Sequence, residues 1–152
     1  MLGRTYEGQR CSISRSLEVV GERWSLLILR DVLLGISRFD DLQKSLGITR
    51  SVLSTRLEHL VEEGVVARHR YQRRPDRYEY VSTPKGLELW PVLMHLLDWG
   101  DRHYPQADGP PRVIAHVDCG GRMNSDLCCD RCGERLAPAN TENGSPKSPS
   151  RR

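Results

Sequence analysis

Apolar residues recur at three- and four-residue steps along the first two-thirds of the chain, and this spacing is typical of amphipathic helices. Four helices are predicted before the first strand: Ser12 to about Val20, then 22–35, 38–47 and 50–64. Ser12, Ser37 and Thr49 stand at expected N-caps, where a side-chain oxygen accepts a backbone N–H, and a glycine ends each segment. This part of the chain is therefore expected to be mostly α-helical.

The third and fourth predicted helices are separated only by a short turn at Gly47 and Ile48, which is typical of a helix-turn-helix. The fourth helix has one face of leucines, and its opposite face carries small hydroxyl side chains with an arginine near the N-terminus. Such a face can lie close to base edges in the major groove, whereas bulky side chains would hold the helix away. The alternative is a packed helix whose hydroxyl face contacts only water. The residues expected to contact DNA here are Arg38, Thr49, Arg50, Ser51, Ser54 and Thr55, with Arg38 on phosphate.

Two extended segments, 65–72 and 77–82, follow the fourth helix, and the RRPD between them suits a turn. Between residues 68 and 77 five arginines stand against one acid, Asp76. So dense a positive charge at a hairpin tip favours contact with phosphates or with the adjacent minor groove. The alternative is a charge run that only water solvates. The wing arginines expected to contact DNA are Arg70, Arg73, Arg74 and Arg77.

A last helix is expected from Thr83 and Pro84 onward, and its apolar face includes Trp90, Met94 and Trp99. Pro91 lies inside this segment and is expected to kink the helix or split it in two. Trp90, Met94 and Trp99 are candidates for an effector pocket, although ordinary core or dimer interface is the more common role of such residues. Three helices, a recognition helix, an arginine hairpin and a closing helix together predict a winged helix-turn-helix.

Four of the five cysteines lie together in the last third of the chain. Two knuckles, His116-x-x-Cys119-Gly and Cys129-x-x-Cys132-Gly, are separated by nine residues. The two-residue gap lets both ligands of a knuckle reach one ion, and the glycine permits a tight turn that points N–H groups at sulfur. Three thiolates and one imidazole fit a closed tetrahedral site for structural zinc. Cys128 is surplus and could replace Cys129, and the alternative is that these residues hold no metal.

Shifts in amino-acid composition along the chain predict the domain boundaries. Residues 1–104 form a winged helix-turn-helix domain, 105–112 a linker, 113–136 a zinc-ribbon-like motif and 137–152 a disordered polar tail. The expected fold class is mostly α with a small β-hairpin wing, plus a C-terminal zinc-ribbon-like knuckle pair.

The composition also limits the classes of function. The 152 residues include 38% hydrophobic and 28% charged residues, which suits one ordinary domain with an appendage. The net charge of +3 is small, and the hairpin holds more than that surplus. No segment has the ~18 apolar residues that a membrane span needs, and the N-terminus has no signal-peptide pattern. A cytoplasmic protein that does not contact membranes is therefore expected.

Cys11 stands apart from the other cysteines, directly before the first predicted helix and near Arg10 and Arg15. A helix N-terminus and neighbouring arginines both favour the thiolate, so Cys11 is a candidate redox-reactive sulfur. The alternative is a small residue packed at a dimer interface.

Several segments resemble the HxlR-type (DUF24) winged-helix transcriptional regulators, which are related to the MarR group. The matching motifs are Gly21–Leu29, Arg38–Leu42, Leu53–Gly64 and YVSTPKG at Tyr80–Gly86. The resemblance covers about residues 8–104 and departs at Ser82, where the family often has leucine. It implies a homodimer built through the N-terminal and last helices and bound to a pseudo-palindromic operator. Many members also carry a lone cysteine where Cys11 stands, and some of these are redox sensors.

The expected function is that of a sequence-specific regulator of transcription on double-stranded DNA. In this interpretation it is a homodimeric repressor switched by a small-molecule effector or by thiol oxidation. The alternative is an interaction module in which the winged domain and the zinc ribbon contact the transcription machinery. An enzyme is a distant third, because the sequence has no persuasive nucleophile–base pair and no open metal site.

Overall fold

The computed structural model describes residues 5–144. The chain forms two compact units that divide between Leu87 and Glu88. We call the unit that ends at Leu87 the winged unit and the unit that begins at Glu88 the knuckle unit. The predicted domain boundary at residue 104 lies farther along the chain, beyond the long helix that opens the knuckle unit. No helix between residues 5 and 144 has both the length and the hydropathy that a membrane crossing requires.

The winged unit contains five helices and one hairpin within the described residues. The helices are α1 (Ser12–Val20), α2 (Ser25–Leu33), α3 (Phe39–Leu46), α4 (Arg50–Glu62) and α5 (Pro84–Leu87). Its buried core draws on three of them, with Ile28, Leu29, Leu42, Leu53, Leu57 and Leu60 each at most 1% exposed. The leucine face predicted for the fourth helix is confirmed by the burial of Leu53, Leu57 and Leu60, whereas the burial of Leu29 was not predicted.

One of the three predicted N-caps is confirmed. The side chain of Thr49 accepts the backbone N–H of Val52 at 3.3 Å and caps α4. The predictions for Ser12 and Ser37 are wrong, because Cys11 and Arg38 occupy the cap positions of α1 and α3 without a side-chain cap bond. The N-termini of α1 and α3 therefore have no capping side chain, and these helices depend on tertiary packing for their stability.

A buried carboxylate joins α2 to α3. The side chain of Asp31 is fully buried, and its Oδ1 lies 2.7 Å from Nη2 of Arg30. Its Oδ2 accepts the hydroxyl of Ser45 at 2.7 Å. A buried charge is costly unless it is paired and hydrogen-bonded, and here each oxygen has a partner. Helix α3, the first helix of the helix-turn-helix pair, is therefore attached to α2 by a hydrogen bond to a buried carboxylate.

The wing is an antiparallel hairpin of β1 (Val66–Arg73) and β2 (Asp76–Ser82). Its register pairs Val66 with Ser82 at the base and Arg73 with Asp76 at the tip, with an irregularity between Arg70 and Gln72. The base is attached to the helices by a backbone bond from Tyr80 N–H to the carbonyl of Ser37, at 2.7 Å. These contacts place the wing beside the start of α3.

The predicted last helix is two helices, as the position of Pro91 indicated. Helix α5 ends at Leu87, and α6 (Trp90–His103) begins with Pro91 in its first turn. A proline in a first turn costs no hydrogen bond, because the N–H groups there have no partner within the helix.

The knuckle unit continues with strands β3 (Val113–His116) and β4 (Thr141–Gly144), which pair antiparallel. The register places His116 opposite Thr141. The expectation of a disordered tail from residue 137 is wrong for this stretch, since Pro138–Asn140 form a 3₁₀ turn that leads into β4. Backbone pairing with β3 supplies the order that the polar side chains do not. The remaining part of the predicted tail, 145–152, lies outside the described residues.

Candidate nucleic-acid interface and metal-ligand cluster

The N-terminal half of α4 presents its hydroxyl groups on the surface of the winged unit. Thr49, Ser51 and Thr55 are exposed and Ser54 is half-buried. The Ser54 hydroxyl donates to Glu58 at 3.0 Å, and that of Thr55 donates to the carbonyl of Ser51 at 3.0 Å. Both hydrogen bonds are local and exposed to solvent. The hydroxyls can therefore exchange them for hydrogen bonds to base edges in a DNA groove.

Arg50 lies against the start of α3. Its Nη1 is 2.7 Å from Oδ1 of Asp40, and its guanidinium stacks over the ring of Phe39 at 4.6 Å. Sequence reasoning did not anticipate this pair. Both side chains are mostly exposed, at 68% and 82%. An exposed ion pair contributes little to stability, so a hydrogen-bond acceptor on DNA can replace the carboxylate of Asp40.

The tip of the wing is the least neutralised part of this surface. Arg70 has a partner in Asp76, with Nη1 and Oδ1 3.5 Å apart. Arg73, Arg74 and Arg77 are exposed, and none of them forms an ion pair within residues 5–144. Repulsion among these three charges is relieved by an anion that binds across them.

Arg38 links the start of α3 to the wing. It forms an isolated strand bridge with Glu79, and its exposed guanidinium stacks over the ring of Tyr71 at 5.0 Å. Arg56, by contrast, points to the beginning of α2, where its Nη2 lies 3.5 Å from Oε2 of Glu22. Arg38 thus extends the basic surface of the wing, and Arg56 ties two helices together.

Trp90, Met94 and Trp99 do not line one common surface. Trp90 and Met94 are buried, at 7% and 8% exposed, whereas Trp99 is 49% exposed and contacts the rings of His103 and Tyr104. Nine residues of helix rotate a side chain through roughly half a turn, so Trp99 lies on the face opposite Trp90. The three side chains therefore do not share one face of α6, and an effector pocket at these residues stays a prediction.

Cys11 is exposed at the N-cap of α1. The backbone N–H groups of Ser14 and Ile13 at the start of α1 favour the thiolate and lower the pKa of the thiol below its usual value of 9.0. A lowered pKa increases the thiolate fraction, which is the reactive form of the side chain.

The two predicted knuckles come together in the knuckle unit. The ligand atoms of His116, Cys119, Cys129 and Cys132 all lie within 4.8 Å of one another. The Nδ1 atom of His116 is 3.3 Å from the sulfurs of Cys119 and Cys132, and the sulfurs of Cys119 and Cys129 are 3.4 Å apart. Three sulfurs and one imidazole nitrogen in so small a volume are a donor set that can bind a metal ion. Cys128 lies outside this set.

Backbone N–H groups surround the sulfurs of this cluster. Those of Cys132 and Arg131 lower the pKa of Cys129 from 9.0 to about 6. At Cys119 the N–H of Gly121 lowers the pKa, but the adjacent sulfur of Cys129 and burial outweigh it, so the pKa is raised. The thiolate is therefore favoured at Cys129, and the Cys119 sulfur 3.4 Å away is shifted in the opposite direction.

Glycines permit the close approach of the two knuckles. Gly120 and Gly133, which follow the ligand cysteines, have positive φ angles of 68° and 75°, as the tight turns predicted from the sequence require. Gly121 matters for a different reason. A Cβ atom on Gly121 would lie 2.3 Å from the sulfur of Cys129 and 2.7 Å from Cβ of Arg131. Any side chain at this position would push the second knuckle away.

The far side of the His116 ring faces two acids that sequence reasoning did not select. The ring is 1% exposed, and its Nε2 lies 3.4 Å from Oε2 of Glu134 and 3.7 Å from Oδ2 of Asp118. Asp118 lies between two ligand residues and Glu134 lies two residues after Cys132, so both could have been suspected from spacing alone.

The exposed recognition helix and the basic hairpin define a winged helix-turn-helix DNA-binding protein. Residues 19–108 match the HxlR-like helix-turn-helix family, and the chain belongs to that family. It is 42% identical over 139 residues to the uncharacterized HTH-type transcriptional regulator Rv3095 of Mycobacterium tuberculosis, an alignment that covers 91% of this chain and 87% of the relative. The protein is a transcriptional regulator of the helix-turn-helix type.

Two solved structures are similar to this chain. The crystal structure of PA1607, a candidate transcription factor, matches with a TM-score of 0.71 and 32% identity, covering 89% of this chain and 94% of the other. The redox regulator HypR in its oxidized form matches with a TM-score of 0.54 and 27% identity, covering 61% of this chain and 97% of HypR. The first similarity extends over most of both chains, and the second over less than two-thirds of this one.

Proposed function

We propose that this protein is a homodimeric repressor that binds a pseudo-palindromic operator in double-stranded DNA. The observation that carries the proposal is the hydroxyl face of α4 beside a wing tip where Arg73, Arg74 and Arg77 form no ion pair within residues 5–144. Helix α4 enters the major groove, while the wing lies along the phosphates. The residues assigned to base edges are Thr49, Arg50, Ser51, Ser54 and Thr55, and those assigned to phosphates are Arg38, Arg70, Arg73, Arg74 and Arg77.

Exposed apolar residues on two helices support the dimer. Ile13 and Leu17 of α1 are 70% and 41% exposed. On α6, Val92, Leu96 and Trp99 follow one another at helical spacing and are 44%, 49% and 49% exposed. Contact with the same faces of a second copy removes this surface from water, and a two-fold dimer matches two half-sites of a palindrome.

Sequence-specific contact by α4 leads to a prediction for Thr55→Leu. Thr55 is exposed, so the substitution should leave the fold intact while its larger side chain holds the helix away from the bases. We expect the affinity for a duplex that the unmodified protein selects from a random pool to fall at least about tenfold, which is ~1.4 kcal/mol. Affinity for unselected DNA should change much less. Fluorescence anisotropy on both duplexes measures the difference.

A matched control for this experiment is Ser125→Leu, an equally exposed neutral position in the knuckle unit. Its binding to both duplexes should equal that of the unmodified protein. A Thr55→Leu protein that keeps full preference for the selected duplex would overturn the assignment of α4 as the recognition helix. A pool that yields no enriched sequence would overturn specific binding altogether, and would favour the interaction module.

The switch proposed for the repressor is Cys11, with a small-molecule effector as the alternative signal. The exposed thiol and its lowered pKa support this role, and the similarity to a redox regulator agrees with it. Diamide oxidises two thiols to a disulfide and accepts the two protons and two electrons that they lose. We expect diamide to shift operator affinity at least about tenfold in the unmodified protein and not in Cys11→Ser. Equal responses of the two proteins would assign Cys11 to packing.

A structural zinc ion is proposed for His116, Cys119, Cys129 and Cys132. Four donors that converge within 4.8 Å favour a closed tetrahedral site, and a closed site leaves no position for a substrate or a reactive water. Zinc supplies the cation that the clustered thiolates require and fixes the two knuckles to each other. The test of this assignment is the Cys129→Ser variant treated in the Discussion.

A further inference from the structure

The two nitrogens of the His116 ring have different surroundings. Nδ1 faces the sulfurs of Cys119 and Cys132, each at 3.3 Å. Nε2 is buried and faces the carboxylates of Glu134 and Asp118 at 3.4 and 3.7 Å, without an aligned hydrogen bond within residues 5–144. Nδ1 therefore faces sulfurs that can bind a metal, and Nε2 faces carboxylates that can accept a hydrogen bond.

Glu134 is held in place by a residue from the 3₁₀ turn before β4. Its Oε1 accepts the side-chain N–H of Asn140 at 3.4 Å, which leaves Oε2 toward His116. Asn140 is itself fixed, because its Oδ1 accepts the N–H of Ala137 at 2.8 Å and its Nδ2 donates to the carbonyl of Arg135 at 3.1 Å. Its carbonyl accepts the N–H of Val117 at 3.0 Å, next to His116.

A neutral imidazole that gives Nδ1 to a metal must carry its proton on Nε2. A buried N–H without an acceptor is destabilising, so this tautomer needs a partner on the far side of the ring. A carboxylate is the strongest such partner, since it fixes the ring orientation and makes the ligating nitrogen more basic.

We infer that Glu134, held by Asn140 and assisted by Asp118, is a positioning residue. Its carboxylate accepts a hydrogen bond from Nε2–H of His116, and this orients Nδ1 toward the metal. The inference rests on the proposed zinc centre and adds to it the ligating atom and a set of supporting residues. Asp118 and Glu134 are 79% and 55% exposed, so the sulfur side of the buried ring is the more enclosed set of metal-binding donors.

Glu134→Ala tests the inference, with Glu142→Ala as the matched control. Glu142 is an exposed glutamate of β4 and forms no ion pair within residues 5–144. In competition with a chelator of known affinity, we expect Glu134→Ala to bind Zn²⁺ about 10- to 100-fold more weakly than the unmodified protein. Glu134→Gln keeps an acceptor and should recover part of the loss, while Glu142→Ala should match the unmodified protein.

Nitrogen-15 NMR of the zinc-loaded protein supplies a readout that a merely structural role would not move. We expect His116 to show a metal-bound Nδ1 and a protonated Nε2. Zinc bound with unchanged affinity in Glu134→Ala, or a metal-bound Nε2, would overturn the inference and leave the zinc centre standing. An unmodified protein that binds no zinc would overturn the zinc centre, and the inference with it.

Discussion

Replacing Arg73, Arg74 and Arg77 together by alanine is expected to weaken binding to DNA of any sequence by roughly 500-fold at 0.1 M salt. All three side chains are exposed at the wing and lack ion-pair partners within residues 5–144, so their loss should not disturb the fold. Each phosphate contact releases about 0.9 of a counterion, which at 0.1 M salt is worth a factor of roughly eight. The three factors of roughly eight multiply to a loss of affinity of roughly 500-fold.

The salt dependence of DNA binding distinguishes direct contact with phosphates from a general loss of positive charge. The slope of log K against log salt should become shallower by about 2.7 in the triple variant, on specific and non-specific duplexes alike. A second triple variant, Arg102, Arg112 and Arg122 to alanine, removes the same charge from the knuckle unit and should change the slope far less. Equal slopes in the two variants would contradict the assignment of the wing arginines to phosphates.

Cys129→Ser is expected to weaken zinc binding roughly 100-fold. Structural zinc sites of this type bind with on the order of 12 kcal/mol at neutral pH, so one ligand of four represents about 3 kcal/mol. The hydroxyl of serine is a poor substitute for a thiolate. The measurement is a chelator competition, supported by the zinc content of protein purified under reducing conditions, which should fall from one ion per chain toward zero.

Cys128→Ser is the control that the chain itself provides. Its sulfur donates to the carbonyl of Asp126 at 3.7 Å and lies outside the ligand cluster, so its replacement should leave zinc affinity unchanged. A large loss in Cys128→Ser with none in Cys129→Ser would exchange the roles of the two cysteines. No stoichiometric zinc in the unmodified protein would contradict the metal site.

Much of the fold could be predicted because its signals are local. The leucine stripe of α4, the capping hydroxyl of Thr49 and the split at Pro91 each depend on residues close in the chain. The same holds for the two knuckles, whose ligand spacing is short and whose turns need the glycines that follow. In these cases local geometry and the tertiary structure agree.

The features that were missed depend on contacts between distant segments. From the sequence alone, an aspartate in an amphipathic helix is expected on the surface. In the structure Asp31 is buried, and its carboxylate accepts the hydroxyl of Ser45 from another helix. Strand β4 has no alternating apolar pattern and exists because β3 pairs with it. Asn140, at the entry to this strand, could not be connected with Glu134 before that pairing was known. Propensity and periodicity do not contain this information.

The carboxylate of Asp31 also bears on how the regulator can respond to a signal. One of its oxygens accepts the hydroxyl of Ser45 and so links α2 to α3 by a hydrogen bond to a buried carboxylate, while the other oxygen pairs with Arg30 of the same helix. Removing a hydrogen-bond partner from a buried charged group is costly, so we expect this link between α2 and α3 to persist when the regulator responds to a signal. In the proposed homodimer, we therefore expect an inducing event to change the spacing between the two DNA-binding units and not the internal shape of either one. The proposed repression would then be relieved by a change in geometry between the two copies.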